Sequence, residues 1–374
     1  MGEVKVGITV GDINGIGPEL ILKTFSDARI ASNIVPIIYG SSKVFAAHNK
    51  SIGLKDLNFF KIKDANEVNK KKINLINVLA DDHRISIGKS TKSGGDAELS
   101  SLKKATDDLA AGKIDVLVTA PINKENIQSE EFDFPGHTEF LAKLSNVDDA
   151  LMFMCSDGIR IGVVTGHIPI KDVASTISQE SIHSKLVQMN DSLKKDFAIT
   201  RPRIAVLGLN PHAGEKGLLG EEDGKIIAPT IKKAFDEGIM AFGPYPADGF
   251  FGSSSFRKFD AILAMYHDQG LIPFKSMTFG YGVNYTAGLP IVRTSPDHGT
   301  AYDIAGKGEA SVSSFRNAIY MARDIYLNRE LHKEITADPL QKQTKEKDNE
   351  DSLPEGFLPE LAKDDPLELV RCKP

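Results

Sequence analysis

Three histidines follow predicted strands at the points where those strands end. His167 comes after RIGVVTG, His212 after RIAVLGLNP and His267 after DAILAMY. Ligands of open α/β sheets bind at the carboxyl ends of the strands, and imidazole is a common ligand of zinc and related divalent metals. Three protein ligands with one open position are typical of a catalytic metal site. The positions therefore predict a shared metal site, against the alternative that each histidine caps or fills its own loop.

The loops around two of these histidines are built to approach a ligand closely. GLNPHAGEKG surrounds His212 with Pro211 and three glycines, and MYHDQGLIPFK places Asp268 directly after His267. Glycine-rich loops bring backbone N–H groups and side chains near a bound group. Asp268 either orients the imidazole of a metal ligand or is a solvated turn residue, and the sequence leaves both interpretations open.

A second set of residues carries donors that suit a phosphate group. Lys275 follows MYHDQGLIPF, and Arg293 lies in the segment 282–310, which is denser in glycine and polar residues than a connection requires. A guanidinium binds two phosphate oxygens while an ammonium adds a point charge, so this pair predicts a phosphate monoester site. FPGHTEFL places His137 and Thr138 at a predicted helix start, where N–H groups also attract anions. Helix capping by Thr138 is the alternative.

The first predicted strand runs into the glycine loop GDINGIGPEL. Gly11, Gly15 and Gly17 predict a tight turn, and Pro18 with Glu19 fits the first turn of a helix. A helix N-terminus in this position can face an anion or a cofactor. Because the spacing departs from the GxGxxG pattern, an ordinary strand-to-helix turn is the alternative.

These loops must be positioned by alternating strands and helices. Short β-branched runs predict strands, and apolar residues at helical spacing predict helices over 97–111 and 181–193. The alternation predicts an α/β fold with a mostly parallel sheet. The predicted strands span residues 4–10, 73–78, 114–119, 160–165, 203–209 and 260–265.

Composition narrows the class of protein. A chain of 374 residues has room for about two domains. Its net charge of -6 argues against nucleic acid as a partner, because proteins bind a polyanion through clustered Lys and Arg. Cys155 and Cys372 form neither a disulfide framework nor a CxxC pattern, and no apolar run approaches the roughly 18 residues of a membrane span. We therefore expect a cytoplasmic protein without a membrane partner, with a charged mobile tail at 338–374.

Two loops resemble those of the β-decarboxylating dehydrogenases. GDINGIGPE resembles the GDGIGPE loop of isocitrate and isopropylmalate dehydrogenases, and DHGTAYDIAGKGEA is similar to their cofactor loop HGSAPDIAGKGIA. Within that superfamily, the order and spacing of further loops resemble the 4-hydroxythreonine-4-phosphate dehydrogenase family over residues 4–325. These loops are TAPINK, FPGHTEFL, VTGHIPI, LNPHAGE, GPYPADGFF, YHDQGL and NYTAGLPIVRTSPDHGTA.

The resemblance implies a two-domain α/β/α fold of the isocitrate/isopropylmalate dehydrogenase type, with mostly parallel sheets and the active site in the interdomain cleft. Residues 1–130 plus 281–335 would form the first domain, and residues 131–280 the second, which carries the metal and the dimer interface. It also implies a homodimer that shares the metal site across its interface.

The resemblance further implies roles for particular residues. His167, His212 and His267 match the family's metal ligands, in agreement with their strand-end positions. Because relatives of the isocitrate dehydrogenase type bind metal through aspartates, histidines favour zinc, with cobalt or magnesium as alternatives. The substrate contacts would be His137, Thr138, Lys275, Asn284 and Arg293, the catalytic residue Asp248, and the cofactor contacts Asp12, Gly15, Gly299, Thr300 and Asp303.

The implied activity is metal-dependent oxidation and β-decarboxylation of 4-phosphooxy-L-threonine to 3-amino-2-oxopropyl phosphate in pyridoxal 5'-phosphate biosynthesis. NAD is the expected cofactor and NADP the alternative. A paralogue acting on 4-phospho-D-erythronate or D-threonate 4-phosphate would need the same machinery, and a phosphate acyltransferase shares the superfamily fold without nicotinamide. The DHGTAYDIAGKG loop argues against the acyltransferase.

Overall fold

A single sheet contains all the named strands in the computed structural model, which describes residues 3–54, 57–79, 83–129, 132–134 and 136–339. The six predicted strands are all present, with ends that differ by a few residues. In chain order the strands are β1 (Val4–Thr9), β2 (Ile34–Gly40), β3 (Phe59–Ile62), β4 (Ile73–Asn77), β5 (Val116–Thr119), β6 (Leu151–Ser156), β7 (Ile159–Thr165), β8 (Arg203–Leu207), β9 (Met240–Tyr245), β10 (Ala261–Tyr266), β11 (Val283–Ala287) and β12 (Arg293–Pro296).

The helices follow the strands as the alternating pattern requires. Both predicted helices are present, as the third and sixth of the chain. None of the described helices is long and apolar enough to cross a membrane. The helices are α1 (Gly17–Phe25), α2 (Ser42–Ile52), α3 (Lys92–Ala110), α4 (His137–Leu144), α5 (Ile170–Thr176), α6 (Gln179–Lys195), α7 (Ala228–Asp236), α8 (Ala247–Gly252), α9 (His267–Thr278) and α10 (Ser313–Thr336).

The sheet has the order β3-β4-β2-β1-β5-β12-β11-β6-β7-β10-β8-β9. Most neighbours run parallel, which confirms the predicted fold class. The exceptions adjoin the centre of the sheet, where β11 is antiparallel to both β12 and β6, and β6 is antiparallel to β7. No pattern in the sequence predicted these antiparallel pairings.

The strand order separates the chain ends from its middle. The six strands from β3 to β12 come from the two ends of the chain, and the six from β11 to β9 come from the middle. The division into 1–130 plus 281–335 and 131–280 stays a prediction, since contacts group the chain up to Glu334 into one compact unit. β11 lies inside the predicted first domain yet pairs with β6 of the second, so it joins the two groups of strands.

Apolar side chains are buried on both faces of the inner strands, as expected of a parallel sheet flanked by helices. β1 and β2 are buried along almost their whole length. The buried interior of the strands leaves their carboxyl ends as the places where polar side chains collect. The predicted tail at 338–374 lies, from residue 340 onward, outside the described residues.

Candidate active site

Arg293 lies at the centre of the sheet, on β12 between β5 and β11, and is only 3% exposed. Its Nε and Nη2 donate to Thr119 Oγ1 at 3.0 and 2.6 Å, and its Nη1 donates to Thr286 Oγ1 at 3.4 Å. Nη2 also donates to His137 Nδ1 at 3.0 Å. Each of these partners is a neutral acceptor, because burial holds the His137 pKa well below its usual value.

The guanidinium of Arg293 is therefore a buried cation with neutral hydrogen-bond partners. Burial lowers its pKa to about 9, and the charge of Glu139 works in the opposite direction. A buried charge without a counter-ion is costly, and an anion bound in contact with it would remove that cost. The arrangement is therefore suited to binding an anion.

His137 completes this anion site from α4. Because Nδ1 accepts a hydrogen bond from Arg293, the ring proton belongs on Nε2, which is buried and has no partner in the described structure. Burial is the main cause of the lowered pKa of His137, followed by the charges of Arg293 and Lys124. The ring is consequently neutral and presents one unused N–H donor.

Thr138 stands beside the same group, where its Oγ1 lies 3.4 Å from Thr286 Oγ1. The alternative role of Thr138 as helix cap is wrong. The N-cap of α4 is Gly136, and no side chain caps that end. Among the described residues, no side chain therefore caps the first N–H groups of this helix, which begins with His137 beside Arg293.

The other two predicted substrate residues differ in placement. Asn284 lies on β11 two residues before Thr286, so both side chains share the sheet face of Arg293, and its buried Oδ1 has no described partner. Lys275 is exposed on α9. Burial is the main cause that lowers the pKa of His298, and the charge of Lys275 lowers it further. The structure brings Arg293, His137 and Thr138 together and leaves Lys275 outside their hydrogen-bonded group.

Two of the three predicted metal ligands are neighbours. The rings of His167, which follows β7, and His267, which begins α9, have centroids 5.6 Å apart. Both line a cavity of 280 Å³. His267 Nδ1 hydrogen-bonds Asp268 Oδ1 at 2.7 Å, so the interpretation of Asp268 as an orienting partner agrees with the geometry. Burial lowers the pKa of His167.

His212 lies apart from this pair. It begins a run of left-handed backbone, with φ of 52° at His212 and positive values through Lys216. Among the described residues, no group of three or more His, Cys, Asp and Glu side chains is close enough to hold a metal ion. Within one chain, the described structure therefore supplies a histidine pair and a separate third histidine.

Asp223 stabilises the turn that leads into His212. Its carboxylate accepts from the N–H groups of Leu209 and Asn210 at 2.8 and 3.1 Å, and from Asn210 Nδ2 at 3.0 Å. Left-handed backbone costs roughly 1–2 kcal/mol per non-glycine residue, so such a run needs support of this kind. Asp248, the predicted catalytic residue, is exposed on α8, which packs against the left-handed run.

The two glycine loops meet at the carboxyl end of β1. The Ile16 N–H donates to the Thr300 carbonyl oxygen at 3.0 Å, and a Cβ added at Gly15 would lie 2.8 Å from that oxygen. Asp12 accepts a hydrogen bond from the Tyr302 hydroxyl. The buried carboxylate of Glu19 accepts from loop N–H groups, those of Gly306 at 3.2 Å and Ala310 at 3.1 Å.

Among the predicted cofactor residues, Asp12, Gly15 and Thr300 thus lie together. Gly299 precedes Thr300 in the chain, and Asp303 is exposed on the outer turn of the second loop. The interpretation of GDINGIGPEL as an ordinary strand-to-helix turn does not account for this close contact with a loop almost 300 residues away.

Two residues of the site, Thr119 and Thr286, were not among the predicted site residues. Thr119 and Thr286, which hold Arg293, occur in the quoted motifs TAPINK and NYTAGL but were not singled out. Thr119 is the last residue of its strand, so the strand-end criterion that selected the histidines would have found it. Thr286 lies inside a strand, and only its pairing with the Arg293 strand reveals its role.

The chain matches the family model of pyridoxal phosphate biosynthetic protein PdxA over residues 32–322. It belongs to this family. The 4-hydroxythreonine-4-phosphate dehydrogenase of Bacteroides thetaiotaomicron is 51% identical over 353 residues, which cover 94% of this chain and 97% of the relative. The predicted family and the predicted oxidoreductase class are therefore confirmed, and membership implies a nicotinamide cofactor.

Solved structures agree with the fold and narrow the alternatives. The crystal structure of 4-hydroxythreonine-4-phosphate dehydrogenase from Klebsiella pneumoniae has a TM-score of 0.76 at 33% identity, and covers 87% of this chain and 98% of that one. A relative from Oceanobacillus iheyensis, 38% identical over 86% of this chain and 97% of its own length, has the provisional name D-threonate 4-phosphate dehydrogenase. Family membership favours a dehydrogenase over the acyltransferase.

Proposed function

We propose that the chain oxidises 4-phosphooxy-L-threonine and decarboxylates the product to 3-amino-2-oxopropyl phosphate, a step of pyridoxal 5'-phosphate biosynthesis. The observation that carries the proposal is the buried Arg293 guanidinium, which has neutral partners and the unused Nε2–H of His137 beside it. These are the donors that a phosphate monoester needs, and they lie in a chain that is 51% identical to a 4-hydroxythreonine-4-phosphate dehydrogenase.

The phosphate would bind across Arg293, His137 and Thr138. Its charge would neutralise the guanidinium, and its oxygens would accept from His137 Nε2 and from the open N–H groups of α4. Asn284, on the same face of the sheet, would contact the remainder of the substrate through its unpartnered amide, with Lys275 closing the site from α9. Fixing the phosphate in this way orients the reacting carbon, which can lower a barrier by several kcal/mol.

The nicotinamide cofactor would lie on the two glycine loops, with Asp12, Gly15, Gly299, Thr300 and Asp303 as its contacts. When bound, it accepts the hydride that leaves the substrate carbinol carbon. The hydroxyl proton must leave at the same time, and Asp248 is the proposed base. We propose NAD as the cofactor, with NADP as the alternative.

We also propose that His167, His212 and His267 hold one divalent ion, zinc in preference to cobalt or magnesium. Such an ion would supply Lewis acidity toward the substrate oxygen. The described part of one chain does not bring the three ligands together, so we propose that a homodimer completes the set. The enzyme would act in the cytoplasm. Supporting the homodimer, large apolar side chains near these histidines are exposed, namely Ile170 at 72%, Ile272 at 62% and Leu218 at 79%.

The test is nicotinamide reduction by the purified protein with three substrates: 4-phosphooxy-L-threonine, D-threonate 4-phosphate and 4-phospho-D-erythronate. We expect turnover of the threonine compound, abolished by a chelator and restored by zinc. Turnover of D-threonate 4-phosphate alone would replace the proposed substrate with the second candidate, which the Oceanobacillus relative favours. Absence of any turnover with either NAD or NADP would overturn the proposal.

A further inference from the structure

A buried carboxyl pair lies beneath the meeting point of the two glycine loops. Glu98, on α3, is 1% exposed and Asp12 is fully buried. Two glycines near the start of α3 allow this approach: a Cβ at Gly94 would lie 2.8 Å from Asp12 Oδ1, and one at Gly95 only 1.9 Å from the Asn126 carbonyl oxygen. Larger residues would push the helix, and Glu98 with it, away from the loops.

The two carboxyl groups differ in the donors that reach them. Asp12 accepts from the Asn14 N–H at 2.8 Å and from the Tyr302 hydroxyl. Glu98 accepts from the Asn123 N–H at 2.9 Å through Oε1, while Oε2 is buried without a described donor. Within the described ranges, neither carboxyl forms an ion pair with Lys, Arg or His.

Two carboxylates in contact, out of water and without a cation, do not both remain ionised. Glu98 has one described donor and an oxygen with none, so the proton belongs on Glu98. The pKa of Glu98 is raised well above its usual value, first by burial and then by the charge of Asp12. Once protonated, Oε2 is a donor available to Asp12, which would account for its lack of a described partner.

This pair is connected to the second glycine loop through Tyr302. The hydroxyl of Tyr302 donates to Asp12 and accepts from Asn123 Nδ2 at 2.9 Å. Four segments therefore meet in one network: the loop after β1, the helix α3, the loop after β5 and the loop after β12. Tyr302 follows Thr300, whose carbonyl oxygen binds the first loop, by two residues.

We propose that Glu98 is a positioning residue for the nicotinamide site: as a neutral hydrogen-bond donor it fixes Asp12, and Asp12 fixes Tyr302 and the second glycine loop. This inference rests on the proposed nicotinamide binding by the two loops. It requires of Glu98 a donor and an acceptor, but no negative charge. Glutamine supplies both in the same shape, so Glu98→Gln is a direct test.

The experiment measures NADH and NADPH affinity by fluorescence titration without substrate, then KM and kcat, in Glu98→Gln, Glu98→Ala and Tyr302→Phe. We expect Glu98→Gln to bind the dinucleotide as the wild type does. Glu98→Ala and Tyr302→Phe should bind it about tenfold more weakly, because each loses about 1.4 kcal/mol from a hydrogen-bonded network. The weakening should appear in the cofactor KM while the phosphate-substrate KM is unchanged. Asp96→Asn, exposed on α3, and Tyr281→Phe, an exposed tyrosine, are the matched controls.

Loss of affinity in Glu98→Gln equal to that in Glu98→Ala, with both variants folded, would overturn the inference, because it would show that a charged carboxylate is needed. If Glu98→Ala does not fold, Tyr302→Phe decides: unchanged NADH affinity in that variant removes the network from cofactor positioning. Failure of the wild-type protein to bind either dinucleotide would overturn the proposed function itself, and is therefore a distinguishable result.

Discussion

The proposed phosphate region (Arg293, His137, Thr119 and Thr286) and the histidine region (His167, His212 and His267) differ in how complete they are. Around Arg293 the partners are in place: Thr119, Thr286 and His137 hold the guanidinium in the interior of the sheet. Around His267 the histidine pair is partly exposed, the third histidine is separate, and apolar side chains face outward. Burial inside one sheet preorganises the first region, whereas the second depends on groups that the described part of one chain does not bring together.

The histidine region should be indispensable for turnover but not for folding. His212→Asn tests this with little strain, because asparagine tolerates the left-handed backbone found at His212. We expect nicotinamide reduction to be abolished and the bound zinc, measured by atomic absorption, to fall, while the thermal midpoint stays unchanged. Near-normal turnover with full zinc content would remove His212 from the proposed ligands.

A substitution in the phosphate region should weaken substrate binding without lowering stability. Arg293→Met keeps an unbranched, flexible side chain and removes the guanidinium with its charge and its donors. We expect the KM for the phosphorylated substrate to rise roughly 10- to 100-fold, since hydrogen bonds to charged groups contribute about 1.5–3 kcal/mol. The thermal midpoint should hold or rise because an uncompensated buried cation is gone. The control is Arg29→Met, because the Arg29 side chain is 89% exposed. An unchanged KM together with a lowered thermal midpoint in Arg293→Met would show that Arg293 has a structural role only.

The left-handed run that contains His212 should depend on one buried carboxylate. Asp223→Ala removes the acceptor for the N–H groups of Leu209 and Asn210. We expect the free energy of unfolding to fall by about 2–4 kcal/mol, because buried donors are left unsatisfied. Urea unfolding measures this free energy. The control is Asp236→Ala, which breaks an exposed ion pair with Lys232 and should change stability by less than about 1 kcal/mol. Equal effects of the two substitutions would contradict the assigned role of Asp223.

The same contrast explains which features the sequence could predict. Strand-end position found the histidines, and side-chain chemistry found Arg293 and His137, because both signals are local. The contact of Arg293 with Thr286 follows from β12 pairing with β11, an antiparallel arrangement that no local pattern indicates. The backbone of His212 depends on Asp223, more than ten residues further along the chain. Local chemistry therefore identified candidate residues, and non-local pairing determined which of them meet.

A smaller effect, on the pH dependence of stability, should distinguish His137 from the other titrating groups. Its pKa is held well below its usual value by burial, then by Arg293 and Lys124, so the folded chain keeps it neutral. The unfolded chain binds a proton at His137 below about pH 6.5, the ordinary pKa of histidine. The unfolded state then holds more protons than the folded state, and stability falls as the pH drops through that range.

For this one group, the slope of the free energy of unfolding against pH approaches about 1.4 kcal/mol per pH unit below pH 6.5. The slope vanishes above that pH. His137→Gln removes the titration but keeps an acceptor for Arg293, so the variant should gain stability relative to wild type as the pH falls from 6.5 to 5.5. Urea unfolding in phosphate-free buffers measures the difference, in which the contributions of His48, His167 and His298 cancel because both proteins contain them. Parallel stability curves would mean that His137 already takes up a proton in the folded state, and that the anion site of the free protein carries more positive charge than its described hydrogen bonds imply.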